Sequence, residues 1–429
     1  MKRLNISIIF LLFAVLITAN AKSRVLLIKV ESGIGPATAS FIQSSIEKAE
    51  ETGAEALIIQ LNTPGGLLDA TRDIVKDILS AKVPVIVYVA PGGSRAGSAG
   101  VFITLSANIA VMAPGTNIGA AHPVDVGGRS DTTSVMTDKI TNDASAFIRS
   151  IAQKRDRNIV WAERSVRESI SSTENEALKE GVIDYICPSI DSLLRAVDAD
   201  LAVTSSGTVT LRTASAEVEK QEMNWKEEFL SILTNPNIAY ILMLIGIYGI
   251  FFELYNPGSI LPGVVGGICI ILAGYSLQFL PINYAGVSLI FLAVIMFLLE
   301  IKVTSYGILA IGGVVSFLLG SLLLIDSPFE FLQISMSSII TGTVLTSLFF
   351  IFIVALGLKA QKRKQALGKE AMIGQKGVAI TDISTNTKGN VKVMGEIWKA
   401  ESNDEISKGD EIIVTEVKSL LLMVKKNMT

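Results

Sequence analysis

The sequence predicts an α/β domain, a membrane-spanning helical region and a small all-β barrel, in that order along the chain. Three observations carry the prediction. Between residues 24 and 190, short β-branched runs alternate with longer amphipathic ones, the rhythm of strands and helices packed in layers. Between 236 and 358 the chain becomes almost wholly apolar. From 371 onward, short alternating runs are separated by glycines, the spacing of a small barrel.

Bulk composition fits that division. The 429 residues are 50% hydrophobic, and a mean hydropathy of +0.51 is too high for a wholly soluble protein. Part of the chain must sit in lipid. The formal net charge of -3 leaves no basic footprint, which sets nucleic acid aside as a partner. With His122 as the one histidine and Cys187 and Cys269 far apart, no usual zinc site can be assembled, and no cofactor is expected. One cysteine falls in the α/β domain and the other in an apolar run, so no intrachain disulfide is expected.

Taken in order, the chain opens with Lys2 and Arg3, an apolar run over 6–18 and then Ala19-Asn20-Ala21, the three parts of a secretory signal. Residues 1–21 are therefore expected to direct export and to be removed after Ala21. Retained as an anchor, they would place the next domain on the same side of the membrane. The α/β domain spans 22–200. Its predicted strands are 25–30, 56–61, 83–90 and 109–112, and its predicted helices are 36–52, closed by Gly53, and 67–81. Residues 201–235 read as a polar connector with room for a hairpin.

The membrane region, 236–358, holds five apolar runs over 238–252, 260–280, 285–299, 306–325 and 339–358. Each approaches or reaches the roughly 20 residues that cross the hydrocarbon core; four spans with one re-entrant hairpin is the competing count. Between Glu227 and Leu358 the only basic residue is Lys302, whereas Lys359, Lys362, Arg363 and Lys364 crowd the juxtamembrane segment 359–370. That end is expected to be cytoplasmic. An exported first domain followed by an odd number of spans gives the same answer. The last domain, 371–429, has predicted strands at 376–380, 390–393 and 411–416. A barrel that binds oligonucleotides needs several exposed aromatics for base stacking. This one offers only Trp398, so protein contact or regulation is the expected role.

Acyl transfer needs an activated nucleophile, a proton acceptor within reach and fixed donors aimed at the developing oxyanion. Ser98, in Gly97-Ser98-Ala99-Gly100, follows a turn of small residues and precedes the apolar run 99–105. It stands at a helix start, where free N–H groups and the helix dipole favour an anion. A plain N-cap serine would fit the same four residues. Asn62-Thr63-Pro64-Gly65-Gly66, directly after a strand, shifts the balance, because paired glycines allow a turn closed to other residues and leave N–H groups unshielded. Gly65 and Gly66 then form one wall of an oxyanion pocket, and the N–H of Ala99 the other.

These motifs, NTPGG (62–66), APGGSRAGSAG (90–100) and MAPGTNIGAAHPV (112–124), resemble the Clp-type protease and signal peptide peptidase superfamily. The resemblance implies a Clp/crotonase-like spiral of ββα units. More closely, KITNDASAFIRSIAQKRDRN (139–158), ENEALKEGVID (174–184), the apolar runs and the terminal barrel look like the long form of the NfeD family, a membrane-bound protease. The likeness covers nearly the whole mature chain. It implies a serine and lysine catalytic pair, matched here by Ser98 and Lys139, and an OB-like terminal barrel. It further implies hydrophobic peptide substrates, stomatin or SPFH-type membrane proteins as substrates or partners, contact with membrane lipid, and a homodimer or higher homo-oligomer.

A lysine accepts the serine proton only in its neutral form, which burial in an apolar pocket favours, so Lys139 is expected to be enclosed. On its own it reads as a solvated surface lysine. His122, in the GAAHPV stretch where Clp-type proteases carry a triad histidine, is the rival base or a wall of the pocket. The loop 126–138, rich in Gly, Asp, Ser and Thr, has the composition of a mobile gate over Lys139, and equally of a plain surface loop. The expected function is that of a membrane-anchored serine endopeptidase. Two other classes compete: a non-catalytic membrane scaffold for SPFH assemblies, and a crotonase-like enzyme acting on CoA thioesters, which export disfavours.

Overall fold

The computed structural model describes residues 23–123, 134–255, 258–303, 305, 307–327, 330–361 and 369–427. The expected signal over 1–21 and most of the basic segment 359–370 lie outside them. The chain divides into two compact units, the first holding the α/β domain and Gly313–Val344, the second holding Ile295–Gly312 and the barrel.

The α/β domain opens with β1 (Arg24–Val30), α1 (Pro36–Thr52), β2 (Ala56–Leu61), α2 (Leu68–Ser80) and β3 (Val85–Val89). Then a unit of strand, short strand and helix takes over. β3 is followed by β4 (Arg95–Ala96) and α3 (Ala99–Ser106), and β5 (Ile109–Met112) by β6 (Asn117–Gly119) and α4 (Ser134–Lys154). After these come α5 (Ile159–Arg167), β7 (Ser171–Thr173), α6 (Glu174–Lys179), β8 (Tyr185–Ile186) and α7 (Ile190–Ala196). A hairpin of β9 (Leu201–Thr204) and β10 (Gly207–Thr210) precedes β11 (Glu217–Lys220).

The main sheet is parallel throughout, in the order β11-β1-β2-β3-β5-β8, and β4, β6 and β7 form a second, smaller sheet. Alternate side chains of the central strands enter two separate cores. Leu57, Ile59, Val85 and Val87 pack on one face, and Ala56, Ile58, Ile86 and Tyr88 on the other. Both faces are dry, which is why these strands read as continuous apolar runs. Gly53 ends α1 as expected: at φ 63° its N–H reaches the carbonyls of Ala49 and Glu50.

The segment read as a connector is more ordered than expected. Besides the hairpin, it supplies β11, which pairs with β1 from Arg24↔Glu217 to Leu27↔Lys220. Charged side chains on an edge strand hid it, because only Val218 packs toward the core. It also supplies α8 (Trp225–Leu233), whose capping box joins Asn224 and Glu227. Glu227 is 4% exposed; its carboxylate accepts from the Asn224 N–H at 2.8 Å and from the Ser44 hydroxyl of α1 at 2.5 Å.

Five apolar helices follow: α9 (Pro236–Tyr255), α10 (Ile260–Leu277), α11 (Tyr284–Lys302), α12 (Ile308–Leu323) and α13 (Met336–Gln361). Two apolar stretches, Pro236–Leu254 and Ile260–Leu277, are long enough to cross a membrane, and those of the other three helices are shorter. Leu261 and Ile271 are 75% and 73% exposed, an outward apolar face that suits lipid and not water. The α9–α10 pair packs closely because a Cβ at Gly249 would lie 2.8 Å from the Cα of Gly266.

In the second unit, α14 (Lys369–Met372) leads into a closed barrel of β12 (Lys376–Ala379), β13 (Gly389–Val393), β14 (Glu396–Glu401), β15 (Glu411–Lys418) and β16 (Leu421–Lys426). Three of these strands are the expected ones. β14 carries charge at Glu396, Lys399 and Glu401, which breaks up the apolar run that marks a strand. Trp398 is half-buried against the barrel core, and its indole N–H donates to Glu396 at 3.1 Å.

Candidate active site

The site starts where β2 runs out. Thr63, 0% exposed, is the hub of the turn that follows. Its hydroxyl meets both the N–H and the carbonyl of Gly65 at 3.1 Å. Its own N–H donates to the Arg95 carbonyl at 2.9 Å, and its carbonyl accepts from the Gly97 N–H at 3.0 Å. The two small-residue turns are thereby stitched together. Only glycine fits the two positions after Pro64. At Gly65 φ is +131° and a Cβ would stand 2.7 Å from the Cβ of Ser98, while at Gly66 it would stand 2.1 Å from the Ile34 carbonyl oxygen.

Ser98 sits immediately before α3 with φ 46° and ψ -107°, left-handed backbone that a residue with a side chain adopts only under constraint. Its N–H is held by the Ala120 carbonyl at 2.7 Å. The hydroxyl makes no capping bond, so the N-cap alternative is not realised. All eight residues of α3 are buried, which fixes the helix behind the serine. Among the described residues, the N–H groups of Gly66 and Ala99 have no acceptor. The Gly65 N–H, by contrast, is taken by Thr63, which removes it from the expected set of donors.

His122 is partly buried, with Nδ1 2.7 Å from the Val166 carbonyl. A carbonyl can only accept, so Nδ1 bears a proton, and in the neutral ring Nε2 keeps its lone pair. The Ala121 N–H donates to Ser165 at 2.9 Å, so the segment 120–122 is fixed between Ser98 and α5.

Lys139 lies in the second turn of α4 and is exposed, contrary to the expected burial. Helix phase explains this. At about 100° per residue, Lys139 falls half a turn away from Ile148, which is fully buried. The helix itself is well fastened beside the serine-bearing helix. Phe147 stacks on Phe102 of α3 with centroids 5.7 Å apart, and the Arg72 guanidinium lies 4.4 Å over the Phe147 ring while pairing with Asp143. No hydrogen bond joins Lys139 to Ser98 among the described residues. Of the loop 126–138, the stretch from Ser134 is helical, and the remainder lies outside the described residues.

The structure thus brings together Ser98, Gly65, Gly66 and Ala99, adds the His122 segment through Ala120, and leaves Lys139 outward. Thr63 and Ala120 are the positions that motif reading passes over. Thr63 is detectable in hindsight, since a threonine two residues before a glycine is the pattern of a side-chain-closed turn. Burial pushes the Cys187 thiol up from its ordinary range, which keeps it protonated and unreactive.

Three family models match the chain: NfeD1b N-terminal domain over 24–187, NfeD integral membrane domain over 237–356, and NfeD-like C-terminal, partner-binding domain over 369–426. The chain is 36% identical over 435 residues to the membrane-bound protease PH1510 of Pyrococcus horikoshii, covering 99% of this chain and 98% of that protein. A solved structure of 1510-N, described as a membrane-bound stomatin-specific protease, is a lysine-to-alanine mutant in complex with a substrate peptide. It is 36% identical, with coverage of 49% of this chain and 98% of its own, at a TM-score of 0.46. A serine-to-alanine mutant of the same protease is also 36% identical, with coverage of 48% and 100% and a TM-score of 0.45. Likeness to a membrane-bound protease along almost the entire length identifies this chain as a protease of the membrane, and it belongs to the NfeD family in its long form.

Proposed function

We propose that this membrane-bound protease is a serine endopeptidase in which the Ser98 hydroxyl attacks the scissile carbonyl and the N–H groups of Gly66 and Ala99 hold the oxyanion. The conformation of Ser98 carries the reading. A strained backbone at a buried helix start, an uncapped hydroxyl and two adjacent unpaired N–H groups are what acyl transfer requires, and a structural serine needs none of them. Gly65 contributes by leaving room for Ser98 and not by donating.

The proton acceptor in this reading is Lys139. In the related protease, the mutated serine and lysine are separated by as many residues as Ser98 and Lys139 are here. Enclosure favours the neutral form of an amine, so in this reading the dyad forms once bound substrate or a second copy of the chain covers the start of α4. Ser98 then loses its proton to the amine, which passes it to the leaving nitrogen, and water releases the acyl group by the reverse sequence. A second reading makes His122 the base, favoured by the lone pair left on Nε2.

Substrates in this reading are hydrophobic segments of stomatin or SPFH-type proteins, supported by the stated specificity of the related protease. The α/β domain is extracytoplasmic and the barrel cytoplasmic, from the basic residues after the last apolar run. The barrel is OB-like: its order β12-β13-β14-β16-β15 closes on itself with β14 and β16 parallel. Cleavage products of a hydrophobic peptide, mapped by mass for Ser98→Ala, Lys139→Ala and His122→Ala side by side, test the reading. Loss in the first two with survival of the third is expected; cleavage by Lys139→Ala would hand the base to His122. Failure of the intact chain to cleave or to react with a serine-directed phosphonate would favour a scaffold.

A further inference from the structure

A cavity of about 260 Å³ lies between the α/β domain and the ends of the membrane helices, lined by Gly33, Gly35 and Leu67 on one wall and by Leu280, Phe331 and Leu332 on the other. The first wall is bonded to the turn that faces Ser98. Ile34 donates its N–H to the Gly65 carbonyl at 2.8 Å, and its carbonyl accepts from the Leu67 N–H at 2.9 Å. In extended chain, neighbouring residues present their polar groups to opposite sides. The Gly35 N–H, opposite the Ile34 carbonyl across their shared peptide, therefore points away from that turn, and among the described residues neither it nor the Gly33 N–H has an acceptor. The second wall is apolar and comes from the segments after α10 and between α12 and α13, while Ser231, Thr234 and Asn235 at the end of α8 add polar groups to the lining. It closes tightly on the first, since a Cβ at Gly33 would meet the Phe331 ring at 2.3 Å.

We propose that this cavity is a substrate subsite, which takes an apolar side chain and the adjoining backbone of a polypeptide as it passes from the membrane surface to Ser98. The proposal rests on the reading of Ser98 as nucleophile. Two unpaired N–H groups, two residues apart and beside a recess with one apolar wall, match an extended peptide, whose carbonyls recur at alternate residues next to its side chains. A lipid acyl chain would fill the recess and leave both donors unpaired. The subsite exists only where the membrane helices are present, so it would let the bilayer-proximal part of a substrate contribute to recognition.

The test uses the full chain in phosphatidylcholine nanodiscs with a hydrophobic peptide as probe. A Cβ at Gly35 meets nothing within 4 Å, and φ there is -141°, so Gly35→Leu is compatible with the backbone and narrows the recess. A rise in KM of about tenfold or more is expected, with Ser98 still labelled by a small phosphonate; an unchanged KM would overturn the proposal. Leu280→Ala enlarges the same space and is expected to shift preference toward peptides with a bulkier residue there. Independently, a photo-crosslinking amino acid at Leu332 in a Ser98→Ala chain is expected to capture the peptide. Capture of phospholipid alone would sink the idea. If the phosphonate fails to label the wild type, the nucleophile reading falls, and the crosslink by itself decides the cavity.

Discussion

At Thr63 one hydroxyl closes the turn that faces Ser98, and replacing it with a methyl of nearly equal size isolates that role. Thr63→Val keeps the buried volume but breaks both bonds to Gly65. Displacement of the neighbouring Gly66 N–H is expected to lower kcat about 10²-fold with KM little changed, measured on a hydrophobic peptide against the melting curve of the same preparation. Gly65→Ala is expected to abolish cleavage, because the new methyl would stand 2.7 Å from the Ser98 Cβ at a φ that disfavours it. Survival of either activity would remove the turn from the mechanism. The double glycine and the small residues around Ser98 are legible in the sequence because each solves a steric problem that other residues cannot. The exposure of Lys139 agrees with its residue type taken alone and not with the burial that a neutral base requires, and the phase of α4, whose first turn reads as polar loop, decides between them. The occupied N–H of Gly65 escapes for a similar reason, since only folding shows which donor the threonine takes.

Among the elements, α4 and α5 depend on a cluster of charges. Glu163 accepts from Arg167 at 2.8 Å and from Arg149 at 2.9 Å, and these two guanidinium groups hold its carboxyl below the ordinary glutamate range. A depressed carboxylate stabilises the fold above its unfolded-state pKa, and that contribution fades as pH falls through the folded value. The melting temperature is therefore expected to drop below about pH 4, and Glu163→Gln should flatten that limb; identical acid limbs would exclude the clamp. Arg157 is the deeper tie. It donates to the carbonyls of Leu105, Ala107 and Val182 and to the Asp184 carboxylate at 2.8 Å, joining the end of α3 to the strand β8 region. Arg157→Ala is expected to cost on the order of 3 kcal/mol in chemical denaturation, with Arg157→Lys a poor substitute because it lacks the planar fork. Its neighbour Arg155, held down to about 10 by burial and then by Arg157, shows how crowded this charge is. Strands with two dry faces are found from sequence with ease, whereas β11 and β14 are missed, since an edge or barrel strand that shows charge to solvent leaves half the usual signal.

For the whole molecule, orientation is the testable quantity. Single cysteines at Val160, 68% exposed, and at Leu420, 77% exposed, can be placed in a chain freed of Cys187 and Cys269. A membrane-impermeant maleimide is expected to label the first in right-side-out vesicles and the second only in inverted ones. Labelling of both from one side would overturn the export of the α/β domain. The three-part organisation is readable in composition alone, because lipid, water and a small barrel each impose a different periodicity. What composition does not carry is how the parts are joined. Here α8 ends at Leu233 and α9 begins at Pro236, while Glu227 moors α8 to α1 and the Ser276 hydroxyl moors it to α10 through the Leu233 carbonyl. So short a leash gives the catalytic body no radius in which to search. On the reading of Ser98 as nucleophile, that serine is held at a set altitude over the lipid, and a victim chain is expected to be cut where its distance from its own anchor matches that altitude, which makes the tether a ruler.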